Sequence, residues 1–132
     1  MTVFVDTSAF YAVVDHDDEN HARAARSWNE LLDGDATLLT NNYVLVETSA
    51  LLQHRLGLAA LRAFQQDVVP LLTIDWIGQQ RHQAGVEAVL AAARKKLSVV
   101  DCISFQTMRE YGVQQAFCFD QNFRQQGFAT IP

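Results

Sequence analysis

An α/β fold built on a parallel sheet is predicted by three features of this chain. Short apolar runs alternate with longer segments of helical periodicity, the order that gives a parallel sheet covered on both faces. The first run, Thr2-Val3-Phe4-Val5, closes on Asp6, and a late one, Ala116-Phe117-Cys118-Phe119, closes on Asp120. Acids so placed stand at the carboxyl edge of the sheet, where open α/β folds put their ligands. The length of 132 residues fits a single domain spanning 1–132, with a core large enough to fold unaided.

The elements follow in order. Strand 2–6 leads into a helix over 7–14, for which Asp6, Thr7 and Ser8 have the composition of a cap. A helix over 18–32 can be capped by Asp17 or Asp18 and is ended at Asp33-Gly34-Asp35 by a glycine that tolerates left-handed backbone. Strand 36–40 comes next; then Asn41 or Asn42 caps a helix over 42–55, Gly57 breaks it, and a further helix covers 57–67. Strand 70–74 begins at Pro70, the only internal proline. The Ala-, Gln-, Leu- and Val-rich stretch from Trp76 to Lys96 reads as one long helix with Gly78 and Gly85 as weak points. A helix over 101–111 is stopped by Gly112, strand 115–119 follows, and a short turn at 121–126 precedes a last strand near 128–131. The sheet therefore has about five strands, and nothing reads as a linker, repeat or low-complexity tract.

Composition narrows the function classes. With 49% hydrophobic and 19% charged residues, the chain is neither disordered nor fibrous. No apolar run approaches the roughly 20 residues of a membrane span, and the chain starts in a strand with no basic leader, so a cytoplasmic protein is expected. Cys102 and Cys118 lie inside regular elements without paired-ligand spacing and are expected to be reduced core thiols. A net charge of -5 weighs against a nucleic-acid partner. Its distribution weakens that objection: eight of the fifteen acids lie in residues 1–35, whereas Arg94-Lys95-Lys96 forms the densest basic cluster.

Four acids, Asp6, Glu47, Asp101 and Asp120, carry the functional reading. Taken singly, Asp6 and Asp101 fit helix caps and Asp120 fits the Asp-Gln-Asn turn. Glu47 is harder to dismiss, because its helical neighbours Val44, Ala50 and Leu51 form an apolar stripe, so it is expected to face inward. A buried carboxylate needs a partner or a cation. Bringing carboxylates together costs about 4 kcal/mol per close pair at an effective dielectric near 20, and a divalent cation reverses that sign. Oxygen ligands without His or Cys favour Mg²⁺ or Mn²⁺. Such a site suits metal-dependent phosphoryl transfer.

Val5-Asp6-Thr7-Ser8-Ala9, Glu47, Val100-Asp101-Cys102-Ile103-Ser104-Phe105 and Phe119-Asp120-Gln121-Asn122-Phe123, in this order, resemble the PIN-domain ribonucleases, most of all the compact VapC-type toxins of toxin-antitoxin pairs. The likeness runs from residue 2 to the C-terminus. It implies an α/β/α sandwich with Mg²⁺ or Mn²⁺ at Asp6, Glu47, Asp101 and Asp120, and endonucleolytic RNA cleavage by a metal-activated water. Relatives of this size dimerise and bind a small antitoxin, so a homodimer and an antitoxin partner are implied here too. Ser8 matches the hydroxyl residue that supports the first acid, and Ser104 stands where it can do the same for Asp101. The chain departs from the pattern twice: Asn122 replaces an acid common in relatives, leaving one or two metals open, and Cys118 replaces a hydroxyl residue two positions before Asp120.

Other features are less specific. His16, His21, His54 and His82 have no metal-ligand spacing. Arg94, Lys95 and Lys96 suit RNA phosphates as well as a solvated helix end. Phe10, Tyr11 and Trp28 suit core packing or a peptide groove. Three alternatives stay open beside the toxin reading: a stand-alone PIN nuclease of RNA processing, a nuclease acting on DNA, and a PIN-like domain kept for protein binding. A phosphatase fits less well, since Ser8 stands where a phosphoaspartyl mechanism wants a second aspartate.

Overall fold

The computed structural model describes residues 1–132. Its chain order is β1 (Thr2–Val5), α1 (Thr7–Val14), α2 (His21–Asp33), β2 (Thr37–Asn41), α3 (Asn42–Leu56), α4 (Leu58–Ala63), β3 (Leu72–Asp75), α5 (Gln79–Ala92), α6 (Val99–Glu110), β4 (Gln115–Phe117), α7 (Gln121–Gln125) and β5 (Ala129–Ile131). The five strands make one parallel sheet in the order β3-β2-β1-β4-β5. From β1 the chain winds outward through β2 to β3, then returns to the other side of β1 for β4 and β5. Strand order reverses at β1, so the crevice beyond the carboxyl ends of β1 and β4 is the switch point where such sheets bind ligands. The α/β architecture and the five strands match the sequence expectation.

Apolar runs become strands because both faces of the sheet are covered. Val3, Phe4 and Val5 are wholly buried, as are Ala116 and Phe117. Side chains alternate across a strand, so neighbours along β1 feed opposite layers. Phe4 meets Phe123 at 5.9 Å, and Phe123 meets Phe105 edge-on at 5.1 Å, which ties α6 and α7 to the sheet. A second cluster pairs Phe10 of α1 with Phe64 at 5.2 Å and with Trp28 of α2 at 6.5 Å. Phe10 and Trp28 are therefore packing residues. Complete burial of each such ring stabilises the fold by about 1.5–3 kcal/mol. Cys102 and Cys118 are buried and unpaired with one another, as expected.

Boundaries differ from expectation where a specific contact intervenes. The helix expected over 76–96 spans only Gln79–Ala92. At its start, the backbone N–H of Ile77 donates to Asn42 Oδ1 at 2.6 Å, holding the chain in a loop that buries Ile77 and leaves Trp76 70% exposed. At its end, Ala93 takes the left-handed conformation (φ 51°) and stops the helix. Gly85 is no weak point but the place where α5 meets α6: a Cβ there would lie 2.3 Å from Ile103 Cδ1. Past Ala63, the helix expected to reach 67 widens into a π turn (Phe64–Val68) and then tightens into a 3-10 turn (Val69–Leu71) around Pro70. Asn20 rather than Asp17 or Asp18 stands at the start of α2, and the Asp18 carboxylate instead accepts the Asn20 N–H at 2.8 Å.

Candidate active site

Strand ends β1 and β4 deliver the first and fourth acids. Asp6 follows β1 and caps α1, accepting from the Ser8 backbone N–H at 3.3 Å and from the Ser8 hydroxyl at 2.8 Å. Ser8 Oγ in turn accepts the N–H of Phe119 at 2.9 Å, so one hydroxyl locks the ends of β1 and β4 together and aims Asp6. Asp120 caps α7 through the Asn122 N–H at 2.8 Å. Cys118, in the hydroxyl-type position, lies 3.6 Å from the Asp120 carbonyl as a weak S–H donor. Burial pushes its thiol up to about 12, with the Asp6 charge adding to it, so the thiol stays protonated.

The third acid is fixed by α6, which begins at Val99, two residues earlier than expected. Ser98 and Asp101 form a reciprocal capping box: Ser98 Oγ accepts the Asp101 N–H at 3.0 Å, and Asp101 Oδ2 accepts the Ser98 N–H at 3.1 Å. Asn122 Nδ2 donates to the same Oδ2 at 3.3 Å and to the Lys96 carbonyl at 3.1 Å. A single residue thereby steadies Asp101 with its amide and Asp120 with its backbone.

These carboxylates repel one another. Burial pushes the Asp6 carboxyl from 3.8 up to about 7 against the Ser8 hydrogen bonds, and the charges of Asp101 and Asp120 push it further. Asp101 is raised for the same reasons, burial first, then Asp120 and Glu47. Placement at the N-termini of α1, α6 and α7 offsets part of that repulsion. None of the four is in an ion pair, because the one ion pair in the fold, Arg81 to Asp75 at 2.8 Å, lies elsewhere. A mutually repelling all-oxygen set, with Asp6 and Asp101 buried and no member in an ion pair, fits a hard divalent ion. No three of these groups stand close enough to form a ready-made chelate.

Glu47 corrects the expectation. It is exposed, not inward-facing. The buried stripe of α3 runs through Val44, Thr48 and Leu52, with Thr48 Oγ1 donating to Thr7 Oγ1 at 3.0 Å. Ala50 is exposed and Val46 is 69% exposed, so the apolar neighbours of Glu47 do not mark a core face. Glu47 lies on the rim beside Asn42, Tyr43, Val46 and Val100, near enough for its charge to raise Asp101.

Comparison with known proteins settles the lineage. Residues 3–129 match the PIN domain family model. The chain belongs to the PIN domain family. A relative from Mycobacterium tuberculosis, the 23S rRNA-specific endonuclease VapC20, is 31% identical over 130 residues, covering 98% of this chain and 97% of its own. The crystal structure of Mycobacterium tuberculosis VapC20, described as a Sarcin-Ricin loop cleaving toxin, superposes with a TM-score of 0.87 at 30% identity, covering 98% of this chain and 99% of that one. FitAcB from Neisseria gonorrhoeae matches at a TM-score of 0.69 with 13% identity, covering 100% and 97%, which is a likeness of fold alone. The chain is thus a PIN-domain homologue of a VapC-type endonuclease.

Within this PIN domain the remaining expected residues fall as follows. Ser104 is fully buried, and its Oγ accepts from Asn41 Nδ2 at 3.3 Å, so it braces β2 against α6 instead of contacting Asp101. Arg94, Lys95 and Lys96 are exposed in the loop between α5 and α6, not at a helix end, and the Arg94 guanidinium engages Gln125. Asp75, which the sequence pattern did not single out, closes β3 as Asp6 closes β1. It is buried, paired with Arg81 and accepts from Thr107 Oγ1 at 2.9 Å, which makes it a structural carboxylate. Arg23 and Arg124 flank Asp120, and Tyr43 flanks Glu47. Nothing in the linear pattern marks these three: Arg23 and Arg124 sit on exposed helix positions and Tyr43 on a half-buried one.

Proposed function

We propose that this PIN domain is a Mg²⁺- or Mn²⁺-dependent endoribonuclease acting in the cytoplasm as the toxin of a toxin-antitoxin pair. The single observation behind this reading is Asp6: a buried carboxylate that feels the charges of Asp101 and Asp120 and is in no ion pair. Asp6, Asp101 and Asp120, with Glu47 on the rim, are the proposed ligands. When bound, the ion would supply charge stabilisation at the phosphodiester and a lowered water pKa. The chain's own part is orientation. Ser8 aims Asp6, Ser98 and Asn122 hold Asp101, and the Asn122 N–H holds Asp120. Asn122 is thus a positioning residue, which favours one principal ion.

RNA is the proposed substrate, with 23S rRNA the first to try, given the name of the full-length relative. Exposed apolar side chains on α3, α4 and α5, among them Val46, Leu58 and Leu90, give surface for the proposed homodimer and for a small antitoxin. Incubating the purified protein with ribosomal and synthetic RNAs tests the activity. Internal cuts are expected with Mg²⁺ or Mn²⁺ and none with chelator; undiminished cutting in chelator would contradict the metal-dependent reading.

A further inference from the structure

A cleft of about 220 Å³ opens beside Asp120, lined among others by Asn20, Arg23, Phe119, Gln121 and Arg124. Its two arginines come from α2 and α7, about a hundred residues apart in sequence. Neither makes an ion pair, although the chain carries a net charge of -5. Both are nonetheless held. The Arg23 guanidinium lies 5.5 Å over the Phe119 ring, and the Phe119 N–H is bonded to Ser8 Oγ, which aims Asp6. Arg124 Nη2 donates to Thr130 Oγ1 at 2.8 Å, and Arg124 lies on the short helix that Asp120 caps. Two uncompensated guanidiniums are thereby tied mechanically to the acids they flank.

We infer that this cleft is a phosphate subsite: Arg23 and Arg124 take a backbone phosphodiester of the RNA strand next to the one being cut. The inference rests on the proposed nuclease function and adds which side of the acids the strand crosses. An acidic protein repels a polyanion at long range, so local cationic groups must supply the hold. Guanidinium forks match phosphate oxygens. Neither guanidinium is neutralised by a carboxylate, and apart from the Arg124 Nη2 bond to Thr130 their donors remain for that ligand. The separate recess at Glu47 is lined by Tyr43, Val46 and Val100 and has no cation, so the phosphates track through the arginine side. Arg94-Lys95-Lys96 is the rival anchor, but it lies in the loop before α6 and lines neither recess beside the acids.

Binding of a short oligoribonucleotide is measured in chelator, where no cutting is expected, by fluorescence anisotropy over a series of salt concentrations. Arg23→Ala/Arg124→Ala is expected to weaken binding about tenfold or more and to flatten the log-log salt dependence by roughly 0.7 for each phosphate no longer neutralised. Arg23→Lys/Arg124→Lys should restore most of the slope, and Arg62→Ala on α4 should change little. Both arginines are exposed, so the fold is retained. Unchanged affinity and slope in the double alanine variant, beside a wild type that binds and cuts RNA, would overturn the subsite alone; an equal loss in Arg62→Ala would do the same. A wild type that neither binds nor cuts RNA would overturn the function and the subsite together.

Discussion

Asp6→Asn is expected to lower RNA cleavage by about a thousandfold, because removing one ligand charge forfeits several kcal/mol of charge stabilisation and each 1.36 kcal/mol is tenfold in rate. Asp101→Asn is expected to fall similarly. Neither change should unfold the protein. An asparagine at position 6 still accepts the Ser8 hydrogen bonds as a cap of α1, and one at 101 still accepts the Ser98 N–H. Rates of RNA cleavage measured beside thermal melts separate the two effects. Variants that melt normally and retain more than a tenth of wild-type activity would show that these carboxylates are helix caps and nothing more.

The second large effect concerns stability without metal. Asp6 has a carboxyl raised from 3.8 to about 7 in the folded chain. A group that binds its proton more tightly when folded contributes stability that is fully present below its unfolded pKa and is lost as the pH rises through the folded value. In chelator the protein should therefore weaken from about pH 4 towards pH 8, by roughly 4 kcal/mol at 1.36 kcal/mol per tenfold change in proton affinity. Asp101 is shifted the same way. Mn²⁺ should restore the melting temperature at pH 8 and do little at pH 5, where protons compete for the ligands. Asp6→Asn should flatten the pH dependence in chelator and respond less to Mn²⁺. A melting temperature that climbs steadily from pH 5 to pH 8 in chelator would refute the account of Asp6 as a buried, repelled carboxylate.

Much of this architecture was legible because burial and strand structure coincide. β1 is a short apolar run with both faces covered, so its end, and hence Asp6, could be placed from sequence; β4 stops at Phe117, short of the expected 119, so Asp120 follows the strand at a distance as the cap of α7. Asn41 was legible as a cap and does accept the Val44 N–H at 2.9 Å. Side-chain direction on α3 was not. Val46 and Ala50 are apolar yet exposed, so hydrophobicity near Glu47 said nothing of where the core lay. The extent of α5 was hidden for another reason: its ends depend on the Asn42 side chain and on a left-handed Ala93, contacts and conformations that no periodicity encodes. Asp75 carried the same strand-end signal as Asp6, and only its tertiary partners Arg81 and Thr107 distinguish a structural acid from a proposed ligand. Ser104 shows the converse, a residue near Asp101 in sequence whose hydroxyl turns to Asn41 instead.

Everything functional here turns on whether a divalent ion sits at the switch point between β1 and β4. Crystals grown with Mn²⁺ and measured at the manganese absorption edge answer this directly. The expected result is an anomalous peak beside the carboxylates of Asp6, Asp101 and Asp120, with Glu47 drawn in from the rim and the Arg81–Asp75 pair undisturbed. Absence of a peak there at saturating Mn²⁺, or a peak elsewhere on the molecule alone, would contradict the assignment.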